Sequence, residues 1–239
     1  MVTRAEFQSE NQLLTALSAS DYSLLRPHLK EVRIEQGGVL QDHSVRIQYV
    51  HFPLSGMISM LSVMRDGKAV ETAVVGREGM LGVQCGFGIS YAHARAVVQI
   101  PGRAARIAAP QFQKAVGESE RMADLFIRYR ELRLAQTQQS AACNALHGAE
   151  PRLSRWLLQT SDVIASETVP LTQEFLSQMV GVRRTTVTAI ARSLQEAGMI
   201  HYTRGRIEIS DREKLEQCAC ECYEVLRRLP AQILYRPKR

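Results

Sequence analysis

The chain has 239 residues, 45% hydrophobic and 23% charged, with a formal net charge of +6. That composition fits a globular protein of one large or two modest domains, and no apolar run approaches the roughly 20 residues needed to span a bilayer, so no membrane segment is expected. The amino terminus, MVTRAEFQSENQLLTALSAS, carries acids and polar residues where a signal peptide needs an unbroken apolar stretch, and five cysteines without framework spacing fit free thiols. The expected location is the cytoplasm, and the basic balance suits a polyanionic partner.

Between Asn11 and Leu29, Leu13, Leu14, Leu17, Leu24 and Leu25 fit one or two small helices. From Val32 to Ala109 the chain breaks into short β-type runs separated by glycines: VRIEQGGVL, IQYVHFPLSGMISMLSVM, KAVETAVVG and ARAVVQIPGRAARIAA. Short strands at this spacing predict a sandwich or roll.

From Glu118 to His147 the pattern turns helical, with Met122, Leu125, Tyr129, Leu132, Gln136, Gln139, Cys143 and Leu146 on a 3-4 alternation. The residues from Leu125 onward are read as the seam of a homodimer, although the same spacing also fits a helix docked on its own domain. Pro151 marks an expected break, after which a helix carrying Trp156 and Leu157 opens the last domain.

LTQEFLSQMVGVRRTTVTAIARSLQEAGMI, residues 171–200, reads as two amphipathic helices joined by a tight turn. Thr172 caps the first, Phe175, Leu176, Met179 and Val180 form its apolar face, and Gly181 supplies the turn. Val187, Ile190, Ala191 and Leu194 form the apolar face of the second, which ends at Gly198 and presents Arg183, Arg184, Thr185, Thr186, Thr188 and Arg192. MIHYTRGRIEIS then alternates like two strands around a tip at Arg204, Gly205 and Arg206. From Val182 to Arg206 there are five arginines and one acid, Glu196. Basic charge is therefore concentrated on a helix-turn-helix and its wing, the pattern of a module that reads duplex DNA.

Last comes LEQCACECYEVL, read as one helix on which Cys218 and Cys222 share a face while Cys220 points elsewhere. Three ligands from one continuous helix make poor tetrahedral geometry, so no metal is assigned, and Cys85 and Cys143 are read as small core or interface residues. His28, His43, His51 and His93 are the histidines considered for haem ligation, and none is assigned.

A β-roll, a long central helix and a winged helix-turn-helix, in that order, resemble the Crp/Fnr superfamily of bacterial transcription regulators. HFPLSGMIS, VVGREGMLG and LTQEFLSQMVGVRRTTV carry the resemblance. It implies an α+β chain: a jelly-roll-like sensor domain over 1–117, a central dimerisation helix and hinge over 118–149, and a winged DNA-binding domain over 150–239. It also implies a homodimer on palindromic double-stranded DNA, with RNA polymerase as a further partner, and no catalysis.

Gly79, Met80, Leu81 and Gly82 fall on the family's phosphate-binding cassette, with Arg95, Thr137 and Gln138 completing the implied effector pocket. Met80 stands where cyclic-nucleotide binders have glutamate, Ala94 where they have arginine, and Arg95 where they have serine, so cyclic AMP is disfavoured. A one-residue shift would instead place Glu78 and Arg95 in the pocket. No cysteine precedes Cys85, which excludes the amino-terminal iron-sulfur pattern, and no cofactor is assigned. In the recognition helix, Arg184 and Thr185 replace the family's Arg-Glu pair and Ala189 its later arginine, so the base code should differ. Two other readings remain: a metal-dependent enzyme on a cupin-like roll, for which no His-x-His occurs, and a redox or metal sensor using the carboxy-terminal cysteines.

Overall fold

The computed structural model describes residues 6–171, 173–203 and 205–234 and divides into two compact units. Of the described residues, one takes 6–60 and Val74–Arg133; the other takes Leu61–Ala73 and those from 134 to 234.

In the first unit, helices α1 (Glu6–Glu10), α2 (Gln12–Thr15) and α3 (Ala19–Leu25) precede the roll. Buried Asn11 caps α2 by accepting from the Leu13 and Leu14 amides at 3.1 Å. Its side-chain amide donates to the carbonyls of Pro53 and Gly79 at 2.9 Å, so one residue ties the helix to the end of a roll strand and to the loop that carries Gly79.

The roll strands are β1 (Lys30–Ile34), β2 (Val39–Gln41), β3 (Tyr49–Pro53), β4 (Met57–Val63), β5 (Ala69–Val75), β6 (Arg95–Ile100) and β7 (Gly102–Ala108). They form two sheets, ordered β1-β7-β3 and β2-β6-β4-β5. Ile34, Ile58, Val75, Leu81, Ala96, Val98 and Ala104 meet in the roll core. The short β-type runs of the sequence are thus the strands that close this core.

Helices α4 (Ala109–Gly117) and α5 (Glu120–Leu146) follow, and Phe112 stacks between Phe52 and Phe126 at ring separations of 6.2 and 5.3 Å. After α5 the chain breaks at Gly148, three residues before the expected position. Pro151 instead lies in the first turn of α6 (Ala149–Ile164), where its missing amide hydrogen costs no helical bond.

The rest of the second unit is β8 (Thr168–Val169), α7 (Gln173–Val180), α8 (Arg184–Glu196), β9 (Ile200–Thr203), β10 (Arg206–Ile209), α9 (Arg212–Cys218) and α10 (Cys222–Ile233). β8, absent from the sequence reading, pairs with β10 to extend the wing hairpin to three strands, ordered β8-β10-β9. The expected single helix over LEQCACECYEVL is two: Ala219, at φ −70° and ψ 151°, is extended, so Cys220 leaves the helical path between α9 and α10.

His51 on β3 is 5% exposed, its Nδ1 has no hydrogen-bond partner among the described residues, and burial followed by the charge of Arg106 lowers its pKa to about 4. The native state therefore holds it neutral, and this contribution to stability is complete above pH 6.5 and is lost as pH falls from 6.5 toward 4. Replacing His51 by Leu should remove about 3 kcal/mol of acid destabilisation across that window, read as the wild-type-minus-variant difference in urea unfolding at pH 7 and pH 4. Equal pH slopes in the two proteins would refute it.

Candidate nucleic-acid interface

The turn between α7 and α8 is closed by backbone chemistry. Gly181, at φ +68°, lets the Val182 amide reach back to the Ser177 carbonyl at 3.1 Å, a six-to-one closure that a side-chain-bearing residue would strain. Gly198, at φ +72°, ends α8 in the same way, with the Met199 amide on the Leu194 carbonyl at 2.9 Å. The carboxy ends of both helices are therefore set by glycines evident in the sequence.

Val187, Ala191 and Leu194 bury the inner face of α8, while Arg183, Arg184, Thr185, Thr186, Thr188 and Arg192 are all exposed. Thr188 Oγ1 donates to the Arg184 carbonyl at 3.0 Å, and Arg192 pairs with Glu196 at 2.7 Å. Arg183, Arg184 and Arg206 make no ion pair among the described residues. Arg206 is exposed at the start of β10, and the Gln195 side chain accepts from the Tyr202 amide at 2.8 Å, fastening the wing to α8. The predicted cap Thr172 and wing-tip Arg204 lie outside the described residues.

Three further features of this unit were not foreseen. The Trp156 indole donates to Glu71 at 2.7 Å, both buried, so the Leu61–Ala73 segment is hydrogen-bonded to α6. Beside it, a groove of about 830 Å³ is lined by Met64, Val70, Gly181, Arg183 and Thr186, bringing that segment next to the start of α8. Arg212 joins α6, α9 and α10 by pairing with Asp162, with Glu167 at 3.1 Å and Glu216 at 3.0 Å, and by donating to the Tyr223 hydroxyl at 2.7 Å. Burial acts to lower the Arg212 pKa, and Asp162, Tyr223 and Glu167 together raise it.

The expected dimer seam is spent largely inside the chain. Leu125, Tyr129 and Leu132 are 7%, 1% and 1% exposed and Cys143 is 0%, while Gln136 and Gln139 are half-buried. Leu146 alone of that set is exposed. A different line on α5 faces outward: Ile127, Glu131, Leu134, Gln138, Ala141 and Ala145, again at alternating spacings of four and three. The 3-4 alternation in the sequence therefore marks the inward face of α5, because the helix packs on its own chain.

The cassette residues of the first unit are also engaged. The Tyr129 hydroxyl accepts from the Met80 amide and donates to the Met80 carbonyl, each at 2.9 Å, and a Cβ at Gly79 would lie 2.3 Å from that oxygen. Leu81 bridges His51, and Gly82 takes φ +92°. Arg95 forms a two-pronged pair with Asp42 at 3.0 and 2.9 Å, which lowers the Asp42 pKa. Glu78, the residue a shifted alignment would use, accepts from the Gly76 amide at 2.9 Å, and burial raises its carboxyl pKa. Thr137 and Gln138 lie exposed on the part of α5 that belongs to the second unit.

The cysteines sort differently from the pairing expected. Cys218 lies 3.4 Å from Ser154 Oγ, whereas Cys220 and Cys222 meet Cys143 in a buried cluster with Cys143 Sγ 3.5 Å from Cys220 Sγ. His147 Nδ1 is 3.6 Å from Cys222 Sγ, so Cys143, His147, Cys220 and Cys222 bring their ligand atoms within 4.8 Å of one another. The Cys220 hydrogen bond lowers the Cys143 pKa, aided by the charge of Arg155, and the same bond raises that of Cys220. Cys85 behaves as the core thiol expected, its pKa pushed up to about 11 by burial.

Among the described residues no helix is long and apolar enough to cross a membrane. No curated relative matches the sequence significantly. Residues 151–218 match the Crp-like helix-turn-helix domain. Among solved structures, FixK2 from Bradyrhizobium japonicum aligns with TM-score 0.71 at 15% identity over 80% of this chain and 98% of its own. A putative Crp/Fnr-family regulator from Eubacterium rectale aligns with TM-score 0.70 at 16% identity over 88% and 98%. The c-di-GMP responsive regulator CLP from Xanthomonas campestris aligns with TM-score 0.67 at 15% identity over 80% and 99%. The chain therefore has a fold similar to that of these solved Crp/Fnr-type structures, with the match to the Crp-like helix-turn-helix domain confined to residues 151–218.

Proposed function

We propose that the protein is a transcription regulator of the Crp/Fnr type that binds a palindromic operator as a homodimer and responds to an effector other than cyclic AMP or to none. The observation that carries this reading is the exposed face of α8, where Arg183, Arg184, Thr185, Thr186, Thr188 and Arg192 lie beside a basic wing on a Crp-like domain. A helix in this setting places its first turns in the major groove, where a guanidinium bridges guanine O6 and N7 while wing cations meet phosphates. RNA polymerase is the partner through which such a protein acts. Binding rather than catalysis is the function proposed.

Two half-sites about 34–36 Å apart call for two copies. The exposed line Ile127, Leu134, Ala141 and Ala145, with Glu131 and Gln138 between, has the spacing of a coiled-coil seam and replaces the one read from sequence. The family's dimer helix supports placing the second copy there.

For the effector, the cassette of this chain offers little to a cyclic nucleotide. Both backbone groups of Met80 are bonded to Tyr129, Arg95 is bonded to Asp42, and Ala94 holds no charge. A nucleotide phosphate would have to displace these bonds, and at the buried Met80–Tyr129 pair each group left unpaired would cost about 1–3 kcal/mol.

Three outcomes follow. Arg184→Ala should cost about 1–3 kcal/mol on the cognate operator and relax discrimination at one position per half-site, whereas Arg206→Ala should weaken all sequences alike. Competition binding against singly substituted operators separates the two, and uniform loss for both variants would assign Arg184 to the backbone. Replacing Ile127 and Leu134 together by glutamate should convert a dimer to a monomer in sedimentation at micromolar concentration; a wild-type monomer would overturn the dimer. Cyclic AMP at millimolar concentration should give no calorimetric heat of binding, and saturable binding would show that Tyr129 yields its place.

A further inference from the structure

The thiol cluster of the second unit has the composition and dimensions of a tetrahedral metal site. A zinc-class cation holds thiolate sulfur at about 2.3 Å and imidazole nitrogen at about 2.0–2.1 Å, which makes tetrahedron edges of about 3.8 Å between sulfurs and about 3.6 Å between sulfur and nitrogen. Cys143 and Cys220 sulfurs lie 3.5 Å apart, Cys222 sulfur and His147 Nδ1 lie 3.6 Å apart, and no pair among the four ligand atoms exceeds 4.8 Å. The sources are also suited. Cys143 and His147 are one helical turn apart near the end of α5, and the C-x-C of Cys220 and Cys222 straddles the break between α9 and α10. That break turns Cys220 toward Cys143, which a continuous helix would prevent.

The surroundings supply what such ligands need. A metal-bound histidine donates its other ring nitrogen to a carboxylate, and His147 Nε2 lies 3.1 Å from Glu221 Oε1. A thiolate ligand accepts outer hydrogen bonds, and the Gln139 amide donates to Cys222 Sγ at 3.0 Å. The charge of Arg155 also bears on Cys143.

We propose that Cys143, His147, Cys220 and Cys222 form a closed three-thiolate, one-imidazole site for a thiophilic divalent cation of the zinc class, which fastens the α9–α10 connection to the end of α5. Binding replaces the thiol protons, which pass to solvent, and needs no oxidant. Four protein ligands leave no open position, so the site is structural rather than catalytic. Cys218, with its sulfur on Ser154, is outside it.

The test uses full-length reduced protein stripped with a chelator and titrated with Co²⁺, then Zn²⁺, without DNA, so that its outcome is independent of operator binding. One Co²⁺ per chain, with the d–d bands of tetrahedral cobalt and thiolate charge-transfer absorption displaced by Zn²⁺, is expected. Cys143→Ser and Cys220→Ser should abolish the charge-transfer signature, and Cys218→Ser and Cys85→Ser should keep it. Glu221→Gln, a surface change that leaves the ligands in place, should weaken Zn²⁺ binding about 10- to 100-fold and keeps the proposal decisive if the cysteine variants do not fold. The proposal is overturned by any of four results: no cobalt spectrum in the reduced wild type, an unchanged spectrum in Cys220→Ser, unchanged zinc affinity in Glu221→Gln, or an iron-sulfur chromophore on these cysteines.

Discussion

The hydroxyl of Tyr129, bound to both the amide and the carbonyl of Met80, is the contact on which the arrangement of the first unit depends. Tyr129 is fully buried, so each of these polar groups would cost about 1–3 kcal/mol if left alone, and the three satisfy one another. Gly79 makes the approach possible, since a Cβ there would lie within 2.3 Å of the phenolic oxygen. The contact fixes the rotation of α5 about its axis. Leu125 and Leu132, on the same side as Tyr129, are thereby buried, and Ile127 and Leu134 are turned to the outside.

That rotation explains why the sequence could locate the central helix but not its partners. A 3-4 alternation reports that one face of a helix is buried and is silent on whether the burying surface comes from the same chain. Leu125, Tyr129 and Leu132 carried the alternation because they pack within the chain. The outward line includes Glu131 and Gln138, which dilute its apolar signal. The two helices and their turn were legible, because Gly181 and Gly198 do their work through local geometry and the apolar residues between them have helical spacing. The wing was legible as a hairpin; its third strand, Thr168–Val169, is two residues long and too short to show a period.

The cysteines show the opposite case. Their meeting depends on pairs 77 and 75 positions apart, and on a helix break at Ala219 that has neither glycine nor proline to announce it. Three of the four donors were visible as cysteines, yet the continuous-helix reading paired Cys218 with Cys222 and missed Cys143. The usable signal was the Cys143-x-x-x-His147 spacing, which sets two donors on one helical face, together with a C-x-C able to supply two more. Arg212 reinforces the same part of the fold, since its links to Asp162, Glu216 and Tyr223 hold α9 and α10 on α6 and so set where Cys220 and Cys222 can reach.

On α8, the charge is less evenly shared than its arginine count implies. Arg192 is tied to Glu196, an exposed i,i+4 pair that adds little stability but offsets the local field. Arg183 and Arg184 make no ion pair among the described residues, so the positive potential of the helix lies at its amino-terminal end, where a recognition helix meets the bases. Glu196 is the only acid on the helix and is held by Arg192, which leaves no carboxylate at the first turns to accept from cytosine N4. Thr185, Thr186 and Thr188 offer hydroxyls and methyl groups instead. On the proposed reading, this chemistry assigns guanine to the arginines and thymine methyl contacts to the threonines, a code built without the acidic member that the family's Arg-Glu pair supplies.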